Sequence, residues 1–495
     1  MTQVSFAQHG MWVTERMGAG SAYHMPIVIR FDGSSAPDPA VLAAACARVV
    51  ERHPLLGRAV REHDGVPHLV PAARLPSLET GESVEEAVVR PFDLENGPLV
   101  RFTLVGDTLV VVAHHLVFDG GSKDVLVADL AAFATGAVPP PLAPLDYAEG
   151  QRERVAALLG EARAFWADRW RDPGEVVVPG GALRSRRGGP GRLLEFPLDV
   201  PALPGLTRFE VLLAALHALL MSYGNADVVT AVDLSTRTAE AEGHIGPFVN
   251  ELPVFSSPPA DAPFVTFAAA LRAELRSLYA YREVPLARVV AGLKPHAALA
   301  PVSVSYRRGP LTTGATAGFG EVDWLAFNHA VRGALQLQVL DPAVRTGDDP
   351  ATGMSASLRY DPGELTDQAG FADDLRAVLA AIAQDPARPL EMLPTRGPVV
   401  AWPVPSSSTA EAAPEDGGAD VDLDDPLAAE IRAIWEEVLK LAPIEPHDDI
   451  FELGGHSLTI TQIIARMRKR LGVEVDLDDF FDNPTIAGVL QVIRG

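Results

Sequence analysis

VVVAHHLVFDGGSKDVL, residues 110–126, is the stretch on which the reading of this chain turns. An apolar β-run ends in His114-His115, Asp119-Gly120 follows, and Val125, Leu126, Asp129 and Leu130 then recur at helical spacing, predicting a helix over Ser122–Phe133. Strand alternation sends neighbouring side chains to opposite faces, so the two imidazoles have separate tasks. A histidine at a strand end beside a loop suits acid–base work near neutral pH. Asp119 adjoins an apolar run and needs a buried partner, while Gly120 allows a tight turn. Taken alone, the segment reads equally as a structural turn or as two of three metal ligands, although adjacent histidines pointing apart share an ion poorly.

Outward from this stretch, strand and helix signals alternate. Met25–Phe31 predicts a strand and Pro39–Arg52 a helix, and Leu99–Val105 with Thr108–His114 predicts a hairpin around Gly106-Asp107. Farther on come a long apolar helix at Thr207–Ser222 and strands at Asp227–Val232, Val302–Tyr306 and Ala334–Leu340. Nearly 400 residues exceed one core, which predicts two α/β lobes, residues 1–175 and 176–395. The composition then breaks. RGPVVAWPVPSSSTAEAAPEDGGADVDL, residues 396–423, is rich in Pro, Ser, Ala and Gly and carries five acids and no base from Glu411 to Asp422. It reads as a flexible linker with a reach of about 30 Å.

Residues 424–495 are helical by pattern, with three amphipathic stripes: Leu427/Ile431/Ile434/Trp435/Val438, Leu458/Ile463/Ile464/Met467/Leu471 and Ile486/Val489/Leu490/Ile493. DDIFELGGHSL, residues 448–458, joins the first two. Gly454-Gly455 gives a turn, and Ser457 falls at a helix start, where free N–H groups and the dipole favour a phosphate. The plainer reading is that Ser457 is a helix cap.

The whole chain has 495 residues, a formal net charge of -24, 47% hydrophobic and 21% charged residues. That balance suits a globular protein with a large core and argues against a general nucleic-acid or anionic-membrane binder. Cys46 is the only cysteine, so an intramolecular disulfide and a thiolate metal cluster are excluded. Its apolar helical setting, AVLAAACARVV, makes it a small core residue. MTQVSFAQHGMW lacks the basic and apolar regions of a signal peptide, and no window is apolar enough for a membrane helix, so the expected location is cytoplasmic.

Residues 448–458 resemble the phosphopantetheine attachment site of peptidyl carrier proteins: an acid, D-x-F, then L-G-G-H-S-L between two amphipathic helices. Residues 110–126 resemble the active-site motif of the condensation domains of nonribosomal peptide synthetases. Supporting segments stand in that family's order: SFAQHGMW (residues 5–12), RHPLLGR (52–58), LDYAEGQ (145–151), IGPFVNELP (245–253) and REVPLARVV (282–290). There are departures. Pro54 stands at a usually acidic position and Gly121 where the family usually has Trp; PVSVSYRRG is a loose match, and Phe327–Gly333 lacks an F-D-L pattern.

The resemblance implies an α/β two-lobed chloramphenicol acetyltransferase-like condensation domain, followed by a small all-α helical-bundle carrier domain. It makes His115 the catalytic residue and His114 a packed neighbour, with Asp119, Gly120 and Arg237 structural, Asp119 forming a salt bridge to Arg237. It implies 4'-phosphopantetheine on Ser457 as cofactor and no metal. The implied reaction is amide formation between a donor acyl thioester on a partner carrier and an amine acceptor on the home arm. No adenylation region separates the two parts, so the expected partners are a stand-alone adenylation enzyme, a donor carrier protein in trans and a phosphopantetheinyl transferase, with neither nucleic acid nor membrane. The carrier's net charge of -7 over residues 424–495 suits recognition by complementary surfaces. The alternatives are an epimerase, which EGH at 242–244 faintly resembles, a catalytically silent recruitment platform, or condensation with a free amine or alcohol.

Overall fold

The computed structural model describes residues 1–33, 36–309, 319–342, 353–394, 425–451, 453 and 455–494. The expected linker at 396–423 and Gly454 lie outside the described residues. The N-lobe carries α1 (Phe6–Arg16), β1 (His24–Arg30), α2 (Pro39–Arg52), β2 (Leu78–Thr80), β3 (Val100–Val105), β4 (Thr108–His114), α3 (Gly120–Ala134) and α4 (Tyr147–Ala167). In α2, Asp38 caps the first turn, Pro39 sits where its missing N–H costs nothing, and Leu42, Ala45, Cys46 and Val49 bury one face. Burial pushes the Cys46 thiol up to about 12, so it stays a core thiol.

The C-lobe carries β5 (Arg192–Leu198), α5 (Arg208–Ser222), β6 (Val228–Ser235), β7 (Val249–Ser256), α6 (Phe264–Leu278), β8 (Val302–Arg308), β9 (Glu321–Asp323), β10 (Leu335–Asp341), β11 (Met354–Tyr360) and α7 (Gln368–Gln384). Its six-stranded sheet runs β5-β11-β10-β8-β6-β7. Helix α5 is buried continuously from Glu210 to Met221, which explains a sequence apolar on every side. Alternation gives the sheet two unlike faces. Val232, Val304, Leu337 and Leu358 enter the core with α5, whereas Asp233, Ser305, Gln336 and Arg359 face the other lobe's side and line a cavity.

The N-lobe sheet runs β9-β1-β4-β3-β2. Strand β9 comes from the C-lobe sequence yet pairs with β1, Val322 opposite Ile29. The division at residue 175 therefore does not describe the sheet: the second part of the chain lends the first an edge strand. A three-residue strand is too short for periodicity to expose.

The carrier has four helices rather than the three read from the sequence: α8 (Pro426–Leu439), α9 (Ser457–Leu471), α10 (Leu477–Asp482) and α11 (Ile486–Arg494). The additional α10 has six residues, under two turns, and supplies Phe480 to stack on Trp435 with ring centroids 5.6 Å apart. The carrier rests on the condensation body through α9. There Thr461 and Gln462 lie over Gly65, where a Cβ would fall 2.4 Å from the Thr461 carbonyl. Arg468–Glu62 (2.7 Å), Lys469–Asp64 (3.1 Å) and Lys294–Asp482 rim the contact.

Candidate active site

Strand β4 ends at His114, and a turn carries the chain through His115 to Asp119, the cap of α3. His114 is fully buried; its Nδ1 accepts the Leu116 N–H at 3.1 Å, and its Nε2 lies 3.7 Å from Glu15 Oε2. With Phe92 and Tyr23 packed against its ring, it is spoken for on every side. His115 sits one residue later, in the turn. A carbonyl only accepts, so His115 Nδ1–H donates to Phe118 O at 2.7 Å and the lone pair is left on Nε2. The ring is 8% exposed, not the exposed strand-end group expected, and lines a cavity of about 350 Å³. Burial, reinforced by Arg332, holds its pKa below the ordinary imidazole value, while Asp233 and Asp119 oppose that shift. The side chain is therefore a neutral base near neutral pH.

The structure brings Asp119 and Arg237 together, Nη2 lying 3.1 Å from Oδ1. Asp119 Oδ1 also accepts the Ser122 N–H at 2.7 Å and stands 2.6 Å from Ser122 Oγ. Ser122 Oγ in turn accepts the Gly246 N–H at 3.0 Å, and Arg237 donates to the Ala241 and His244 carbonyls. The segment at 245–253 thus clamps the catalytic turn from the C-lobe. Gly120 departs from expectation: it is the first residue of α3 and is not in the left-handed region, and a Cβ there would meet only Arg307 at 4.0 Å. The residue keeps the cavity wall low rather than permitting a turn. Gly121 also lines the cavity, and a Cβ there would stand 3.4 Å from the Arg237 guanidinium, so the absent side chain leaves space beside it.

Sequence reasoning missed the charges on the opposite wall. Arg332 is 3.1 Å from Asp233 and 3.3 Å from Glu251, and burial raises Glu251 to about 7. Arg307 pairs with Asp124. These residues lie on different strands, 81 positions apart for Arg332 and Glu251, and no local pattern marks them. Their only sequence signal was the polar alternation along β8 and β10.

At the carrier, Ser457 is the first residue of α9 and the cap is His456, whose side chain accepts from the Thr459 N–H. The reading of Ser457 as a cap is thus set aside. Ser457 is also the one serine between residues 429 and 493. Gly455 is required by space, since a Cβ would lie 2.6 Å from Ile450. A phosphopantetheine arm fits here. The open end of a 15-residue helix adjoins Ser457, and nearby Arg288 Nε and His9 Nε2 are buried without hydrogen-bond partners.

The comparisons agree with this geometry. The condensation-domain family matches residues 1–187 and 195–307, and the phosphopantetheine attachment-site family matches 429–493. Chondramide synthase of Chondromyces crocatus is 30% identical over 338 residues, covering 59% of this chain and 8% of that protein. Tyrocidine synthase 3 of Brevibacillus parabrevis is 29% identical over 320 residues, covering 58% and 5%. The chain therefore spans less than a tenth of either relative's length. Among solved structures, the X-domain from teicoplanin biosynthesis superposes with a TM-score of 0.64 at 22% identity, covering 79% of this chain and 97% of that one. The starter condensation domain of rhizomide synthetase gives 0.63 at 17%, covering 79% and 97%. No described helix is long and apolar enough to cross a membrane. The chain belongs to the condensation-domain family, the amide-bond-forming transferases of nonribosomal peptide synthesis, and carries behind that domain a carrier domain of the kind that holds phosphopantetheine on a serine.

Proposed function

We propose that this chain joins a donor acyl thioester, delivered on a carrier protein in trans, to an amine held on its own arm at Ser457. The observation that carries the reading is a short path. The Ser457 end of α9 abuts α1, and Gln8 of α1 donates through Nε2 to Leu116 O at 2.8 Å, next to His115. When bound, the arm supplies a long tether ending in a thiol that holds the acceptor group.

The remaining work falls to the chain. An α-amino group has a pKa of about 7.7–8.0, so part of it is neutral near pH 7. Its nitrogen attacks the donor carbonyl carbon; the C–N bond forms and the C–S bond breaks. His115 Nε2 takes the proton shed by nitrogen and returns it to the departing sulfur. The hydrogen bond from Nδ1 to Phe118 holds the ring while this happens. Asp119 and Arg237 keep the turn in place and touch no reacting atom. Tethering both partners raises their effective concentration and supplies several of the roughly 7–11 kcal/mol that ideal positioning offers. A separate adenylation enzyme loads the arm after a phosphopantetheinyl transferase installs it, and the cytoplasm is the proposed location.

Loading the two carriers with isotopically distinct aminoacyl groups and reading the product's attachment site by mass spectrometry tests the direction. Amide product on Ser457 is the expected result. Product on the other carrier, or released as a free amide, reverses the assignment.

A further inference from the structure

The segments at 5–12 and 282–290 take no direct part in the step at His115, yet they meet at the carrier. Arg288 lies over the Phe6 ring, 4.3 Å from guanidinium carbon to centroid. Its Nη1 stands 2.9 Å from both ring nitrogens of His456, the residue before Ser457. Its Nε is buried without a hydrogen-bond partner, and among the described residues neither a carboxylate pairs with Arg288 nor does its Nη2 make a hydrogen bond. His9, one turn along α1 from Phe6, is 7% exposed and its Nε2 likewise has no partner. The charges of Arg288 and His456 both reach His9, and burial with those charges holds it neutral, at about 3.

A largely buried cation without an anion thus faces the open end of α9, whose dipole adds positive potential. Nη1 is engaged by His456, and the free Nε–Nη2 edge is the fork that matches two oxygens of a phosphate. An amine or an apolar group placed there would leave that edge unsatisfied. A phosphodiester with one negative charge would satisfy it. We propose that Arg288 and His9 bind the phosphodiester of the arm on Ser457, so that the condensation body holds the loaded carrier more tightly than the unloaded one. This inference rests on the assignment of the arm to Ser457. It makes Arg288 a positioning residue and sets an order of events. Ser457 is 9% exposed in the docked arrangement, so the transferase reaches it only with the carrier lifted away. Docking on Arg288 follows loading.

The test uses the whole chain after pantetheinylation, with intact mass and ³¹P NMR read together. The wild-type phosphodiester line is expected to be shifted and as broad as the condensation body requires. In Arg288→Gln it narrows, reflecting a roughly tenfold lower ratio of docked to free carrier, the loss of one charge-assisted hydrogen bond. Arg288→Lys, which keeps the charge but lacks the fork, falls between the two. Hydrogen exchange in wild type supplies a measurement that needs no variant: α1 amides are expected to slow on going from unloaded to loaded protein. Identical ³¹P lines in wild type and Arg288→Gln, with the arm's mass present on Ser457 in both, overturn the Arg288 assignment alone. Equal α1 exchange before and after loading does the same. An arm absent from wild-type Ser457 overturns the attachment assignment and this inference with it.

Discussion

The turn from His114 to Ser122 and the turn ahead of Ser457 carry the two halves of the chemistry, and the molecule holds them differently. The first is tied within its own lobe by Gln8 and Tyr23, and from the other lobe by Arg237 and Gly246. These groups are buried or nearly so, and the charged pair among them is 5% and 19% exposed. The second turn meets the condensation body through Arg288 and a rim of ion pairs whose basic members, Arg468, Lys469 and Lys294, are 44%, 71% and 46% exposed. A buried tie broken on one side leaves an uncompensated charge. An exposed pair gives its ions back to water at little cost. The catalytic turn is therefore built to stay and the carrier to leave, as a tethered substrate holder that visits more than one protein must.

His115→Ala sharpens that contrast most. Condensation is expected to fall about 10²–10⁴-fold, the usual contribution of a positioned acid–base group, with the melting temperature unchanged because the ring's one described hydrogen bond is local to the turn. Equal rates in variant and wild type would remove the base and favour a recruitment platform. The acid limb of the pH–rate profile checks the same residue. Since burial lowers its pKa, activity is retained below pH 6.5 and is lost only as pH falls through the depressed folded value.

Asp119→Ala should act chiefly on stability. Removing one partner of a buried pair costs about 3–5 kcal/mol. The lower end, about 3 kcal/mol, is expected because Arg237 is partly exposed and keeps the Ala241 and His244 carbonyls. Urea unfolding measures it. An unchanged midpoint with activity lost as in His115→Ala would make Asp119 catalytic and dissolve the distinction between the two.

Salt gives the smallest effect. Raising the ionic strength to about 0.5 M screens exposed pairs, each worth about 0–1 kcal/mol. Small-angle scattering should show the unloaded carrier moving away from the body, while the condensation domain's own melting temperature barely shifts. A compact envelope that ignores salt would mean the carrier is fixed, and the contrast between the two turns would fail.

Much was legible in the order of residues because short-range rules govern it. The strand ending in two histidines, the helix after Asp119, the helix at 39–52 and the amphipathic stripes of the carrier each follow from local spacing, and Ser457 was marked by an eleven-residue stretch. Arg237 was reached through family resemblance, 118 positions from Asp119. What lay beyond local spacing was decided by tertiary packing. Strand β9 crosses to the N-lobe because a three-residue strand takes its place from the edge it meets, not from its own pattern. Which face of the β8 and β10 alternation becomes cavity wall depends on where α5 packs. Arg332 finds Asp233 and Glu251, and Arg288 finds His456, across 81 to 168 positions, because a guanidinium taken out of water settles where oxygen or nitrogen acceptors are already buried. Sequence specified the reacting groups. Only the folded chain decided which charges surround them, since burial and distance, not residue type, set the strength of a charge.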